Sequence, residues 1–115
     1  MNSKRYDSDV YDQALATQIA GGNPAIAAEL LALLLKELPS QREALNQAFA
    51  TSDPAKLREL NHKLHGSARY CGTPALMNST RELAKILSTG PSASIAKAFA
   101  DVIRDIDRLL ALQDR

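Results

Sequence analysis

The stretch DPAKLRELNHKLHGSARYCG, residues 53–72, decides the fold. Asp53 precedes Pro54, the pairing expected of a helix N-cap followed by proline in the first turn, and Gly72 closes the stretch. At about 100° per residue, Leu57, Leu60, Leu64, Ala68 and Cys71 fall on one stripe, so a helix here turns that face to a core. By the same arithmetic His62 lies about 160° from the middle of the stripe and points to solvent, with Gly66 one turn further along.

Working outward, the same capping grammar recurs. Gly21-Gly22 closes a modest first helix carrying Val10, Leu15 and Ile19. Asn23-Pro24 opens a Leu- and Ala-rich helix over 26–38, and Pro39 is expected to kink or interrupt it before 40–50 continues as helix. Gly72-Thr73-Pro74 separates the central helix from another over 75–87, with Leu76, Leu83 and Ile86 inward. A loop is expected over 88–92. A last helix over about 94–113 carries Ile95, Phe99, Val102, Ile106, Leu109 and Leu110 at helical spacing. No alternating strand pattern occurs. The expected fold is all-α, an antiparallel four-helix bundle with one or two additional short helices, over residues 10–115 behind a flexible tail at 1–9.

Composition agrees with this and excludes several functions. Aromatics make up only 4% of 115 residues and Trp is absent, a composition suited to interdigitating helices. The formal net charge of +1 favours neither nucleic acid nor an anionic membrane as partner. The single cysteine, Cys71, rules out an intrachain disulfide and a thiolate-rich zinc site, and lies on the core stripe as a small hydrophobe. No apolar run approaches the roughly 20 residues that span a bilayer, and residues 1–9 lack the apolar core of a signal peptide. No direct membrane contact is expected. A cytoplasmic setting follows, either free or as a domain of a membrane-anchored protein.

Mid-helix glycine costs about 0.5–1 kcal/mol relative to alanine. An exposed glycine beside an exposed histidine therefore suggests close approach by something else. Arg58 lies one turn before His62 and Arg69 about two turns after it, and Lys63 and His65 flank the face. A neutral imidazole there is a competent nucleophile, and the cations can support a phosphoryl group once attached. The plain alternatives are a solvated histidine and a glycine that admits a neighbouring helix.

The run Asn61-His62-Lys63-Leu64-His65-Gly66-Ser67-Ala68-Arg69-Tyr70-Cys71-Gly72 resembles the signature of histidine-containing phosphotransfer (HPt) domains. In that signature His62 matches the phospho-accepting histidine, Leu64 the buried anchor, Gly66 the small surface residue, Ser67 and Ala68 the small pair, and Gly72 the terminating glycine. The resemblance extends over roughly residues 10–110. The run His-Lys-Leu-His-Gly-Ser resembles the carboxyl-terminal HPt domains of BarA/GacS-type hybrid sensor kinases. His65 departs from the usual lysine.

The resemblance implies a reversible relay. His62 accepts a phosphoryl group from an aspartate on the receiver domain of a hybrid sensor kinase and passes it to a downstream response regulator. Such a domain is a phosphocarrier, not an enzyme with ATP-dependent kinase activity, and no Gly-x-x-x-x-Gly-Lys nucleotide loop is present. It needs no cofactor of its own, since Mg²⁺ belongs to the partner receiver. His65, Lys63, Arg69 and Gly66 are then the phosphate-supporting group, with His65 bonding phosphoryl oxygens in a pH-sensitive way. Arg58, Glu59, Tyr70, Val10 and Tyr11 are the expected docking residues, although Val10 and Tyr11 fit equally a helix that caps the bundle end. A monomer is the default expectation.

Three rival readings stay open at this level. His62 and His65, three apart, can share a helix face and bind Zn²⁺ with carboxylates from elsewhere, although no metal site is expected. A bundle without phosphoryl chemistry can scaffold or inhibit receivers. The acceptor domain of a chemotaxis-type kinase carries a similar motif.

Overall fold

The structure is a computed structural model that describes residues 8–114. Five α-helices follow one another: α1 (Gln13–Ile19), α2 (Pro24–Ala50), α3 (Pro54–Tyr70), α4 (Pro74–Thr89) and α5 (Ile95–Leu110). Short 3₁₀ turns, Ser92–Ser94 and Ala111–Asp114, precede and follow α5. α3 packs between α2 and α4, α4 packs on α5, and α5 closes the bundle against α2.

The starts of the helices follow the side chains that precede them. Asn23 Oδ1 accepts from the amides of Ala25 and Ile26, Asp53 Oδ1 from that of Lys56, and Asp12 Oδ1 from that of Leu15. Each bond satisfies an amide that the first helical turn leaves without a partner. Thr73 behaves differently. Its hydroxyl donates back to the Ala68 carbonyl at 3.1 Å, so the amide of Ala75 turns to the Asp9 carbonyl at 2.7 Å. The residue expected to end a flexible tail is therefore tied to α4; the remainder of that tail, residues 1–7, lies outside the described residues.

Leu34, Leu38, Leu45, Leu57, Leu64, Leu76, Leu83, Val102, Ile106 and Leu109 fill the core. Phe49 and Phe99 stack at one end, their centroids 4.3 Å apart. Arg42 grips Asp107 with two bonds of 2.7 and 3.0 Å, joining α2 to α5 across the surface.

Several boundaries differ from expectation: α1 starts only at Gln13, leaving Val10 in the turn before it, and α5 gives way to a 3₁₀ turn after Leu110. Pro39 does not interrupt α2, which runs unbroken from Pro24 to Ala50. Proline removes one helical amide, but Pro39 is on the exposed face while Leu38 and Leu45 hold both halves in one core. α4 extends to Thr89, past the expected loop start, because the Thr89 hydroxyl bonds the Lys85 carbonyl and the chain breaks only at Gly90-Pro91.

α1 lies over the α3–α4 turn. The Asp12 amide donates to the Gly72 carbonyl at 2.8 Å, and Ala16, fully buried, abuts Gly72. Gly72 has φ +68, and a Cβ there would stand 2.7 Å from the Ala16 side chain and 2.8 Å from its amide nitrogen. No other residue fits that turn.

Candidate functional site: the exposed face of α3

His62 is exposed at mid-helix, as the helical wheel requires, and Lys63 and Arg69 are exposed with it. The residues behind it explain its orientation. Leu57, Leu64 and Ala68 are buried, and so is Asn61, which precedes His62 and has no exposed surface. Asn61 Nδ2 donates to the Thr80 carbonyl of α4 at 2.8 Å, while its Oδ1 has no hydrogen-bond partner among the described residues. Helical spacing places Asn61 one turn from both Leu57 and Leu64, so the signal for its burial was present although its polarity argued the other way.

Gly66 answers a specific question. Beyond its own helical turn, a Cβ placed on it would meet nothing within 4 Å among the described residues. The glycine therefore does not admit a neighbouring helix of this chain; it keeps clear the surface one turn beyond His62.

His65 is half-buried in the seam between α3 and α4. Its Nδ1 lies 2.9 Å from Thr80 Oγ1. Burial holds its pKa below the usual histidine value; the charges of Arg81 and Arg69 add to that, a bond to the Met77 carbonyl opposes it, and His62 contributes a further lowering. Arg81, from α4, is thus a cation of this neighbourhood that the sequence did not single out.

The other candidate residues divide. Arg58 lies on the side of α3 facing α4, where its guanidinium donates to the Leu87 carbonyl at 3.0 Å. Glu59 faces solvent beside Lys56, 3.6 Å away. Tyr70 is 59% exposed. Val10 is only 7% exposed and belongs to the core, so the docking role expected of it is corrected in favour of capping the bundle end. Tyr11 is half-buried beside it, and desolvation raises its phenol's pKa.

Beside Tyr70 runs an apolar strip. Ile26 and Leu33 of α2 are 44% and 55% exposed, and Leu30, Leu33, Leu34, Glu37, Ser67 and Tyr70 line a shallow groove of about 270 Å³ between α2 and α3. A larger groove, about 590 Å³, lies at the opposite end of the bundle near Phe49, Asp53 and Ile95, and includes none of the residues around His62. Among the described residues no three of His, Cys, Asp or Glu come together as a metal-binding group, and no single helix is long and apolar enough to cross a membrane.

Comparison with known proteins agrees with this geometry. The chain is 40% identical to the sensor histidine kinase GacS of Pseudomonas protegens over 91 residues, which cover 79% of this chain and 10% of that protein. It is 34% identical to the signal transduction histidine-protein kinase BarA of Escherichia coli over 79 residues, 69% of this chain and 9% of that protein. The chain thus spans about a tenth of the length of these curated relatives. The crystal structure of the HPT domain from a sensor hybrid histidine kinase of Shewanella matches it with a TM-score of 0.85 and 25% identity over 92% of each chain. The Hpt domain model matches residues 29–112. With bundle, motif and relatives in agreement, the chain belongs to the Hpt domain family, phosphocarrier modules rather than kinase domains.

Proposed function

We propose that this domain is a phosphorelay intermediate, accepting a phosphoryl group on His62 from a receiver-domain aspartate and passing it to the aspartate of a response regulator. The observation that carries the proposal is an exposed imidazole on a helix whose opposite face is buried, next to a glycine against which no other described element of the chain packs. Phosphoryl transfer depends on in-line approach and charge neutralisation. A nucleophile held on a rigid helix, with open surface beside it, meets the first demand. Lys63, Arg69 and His65 supply charge and donors for the second, while the Mg²⁺ that balances the transferred phosphoryl belongs to the receiver.

For docking, Tyr70 and the exposed strip of Ile26 and Leu33 offer an apolar surface at the edge of the His62 face. Arg58 borders the His62 face on its α4 side, while Glu59 lies on the same side of α3 as Tyr70, about three turns before it. In the cell the setting is cytoplasmic, as a domain of a membrane-anchored sensor kinase or as a separate carrier.

The relay is tested with two receivers. Labelled phosphate on the first should reach the second only when this domain is present, and His62→Gln should abolish the passage while leaving the helical circular dichroism unchanged. Passage that persists in His62→Gln contradicts the proposal. Binding of both receivers without any passage of label would favour a scaffold instead.

A further inference from the structure

Thr80 Oγ1 stands where three hydrogen bonds meet. It lies 2.7 Å from the Leu76 carbonyl, 3.1 Å from the Met77 carbonyl and 2.9 Å from His65 Nδ1. A hydroxyl has one proton, and a carbonyl only accepts. The shortest contact directs that proton to Leu76, which leaves lone pairs toward His65. His65 Nδ1 must then carry a hydrogen and donate it.

In a neutral ring protonated at Nδ1, Nε2 holds a bare lone pair. A bare lone pair cannot donate to a phosphoryl oxygen. Only the imidazolium can. Among the described residues, the groups that act on the ring are His62 and Arg69 from α3, and Arg81 and the Met77 carbonyl from α4, with no carboxylate among them. Burial and the two guanidinium groups favour the neutral ring while His62 is unmodified. A phosphoryl group on His62, one helical turn away, brings a negative charge of about 1.5–2 and reverses that preference.

Resting on the reading of His62 as phospho-acceptor, we propose that Thr80 is a positioning residue of the site: it pins His65 through Nδ1, so that His65 holds a phosphoryl group on His62 only after Nε2 takes up a proton. The proton comes from solvent as the P–N bond forms and returns to solvent as the phosphoryl group leaves. Phosphoryl occupancy and proton uptake are thereby linked, and lower pH shifts the equilibrium toward phospho-His62 by at most about tenfold per pH unit within the window.

Nitrogen-15 NMR of the imidazoles tests this on the whole domain, before and after phosphorylation by a Mg²⁺-loaded phosphoreceiver. Wild type and Thr80→Ser should show the His65 Nδ1–H tautomer, and Thr80→Val should lose that preference. Phosphorylation should raise the His65 titration midpoint by about one unit or more in wild type. His65→Lys should remove the corresponding pH dependence of the transfer equilibrium. An Nε2–H tautomer in wild type, or a His65 midpoint that stays put when His62 is phosphorylated, overturns the proposal alone. Absence of any phosphoryl group on His62 overturns the relay reading and this proposal together.

Discussion

Asn61 Nδ2 donates to the Thr80 carbonyl at 2.8 Å in a place without solvent access, one residue before His62. The bond orients α3 against α4 and so sets which way His62 faces. Asn61→Asp keeps the shape but replaces the donor with an acceptor opposite a carbonyl. Stability should fall by about 3 kcal/mol near neutral pH. Protonation restores a donor, so the folded-state carboxyl has a raised pKa and stability should recover as pH falls. Denaturant midpoints across pH check this; an unchanged midpoint at neutral pH would contradict it.

Gly66→Ala separates structural from functional demand. Beyond its own helical turn, nothing among the described residues lies within 4 Å of the added Cβ, so the helix should gain about 0.5–1 kcal/mol. If the proposed relay holds, phosphoryl transfer should slow by about tenfold to a hundredfold, because the methyl group would stand in the surface proposed for the receiver's approach. A variant that gains stability and keeps its full transfer rate would show the glycine to be irrelevant to docking.

Gly72→Ala should do the reverse. The residue has φ +68, and the new Cβ would meet the Ala16 backbone, which cannot move aside as a flexible side chain can. A loss of about 3 kcal/mol is expected, read from thermal or denaturant unfolding. Amide exchange should show α1 opening first, since the Asp12 amide is held by the Gly72 carbonyl.

His65 gives the fold its own acid sensitivity. Its folded-state pKa lies below the unfolded value of about 6.5, chiefly through burial. The unfolded chain therefore binds more protons in that interval, and stability rises with pH across it. The contribution is present above the unfolded pKa and is lost as pH falls through the folded one. Comparing unfolding free energies of wild type and His65→Gln over mildly acidic pH should show this limb in wild type and its absence in the variant.

The helices and their starts were legible because capping and apolar periodicity are local: Asn23-Pro24 and Asp53-Pro54 act on amides within three residues of themselves. Leu64 and His62 were placed on opposite faces by spacing alone. Asn61 and Thr80 were not singled out, because each buries a polar group that makes sense only once α3 and α4 face each other. Arg81 is exposed and was passed over because its charge reaches His65 only across that same seam. Val10 stayed open between docking and capping because the Asp9 carbonyl and Ala75 amide that fix its segment are 66 positions apart. Pro39 was read as a break because the tertiary packing of Leu38 and Leu45, which keeps the helix whole, is not a local property.

The most direct test of the account is to locate the phosphoryl group on the domain after incubation with a phosphorylated, Mg²⁺-loaded receiver. Phosphorus–proton correlation NMR, checked by acid lability and base stability of the label, should place it on the His62 imidazole. A phosphoryl group on His65, or a domain that stays unmodified with receivers that bind it, would contradict the account.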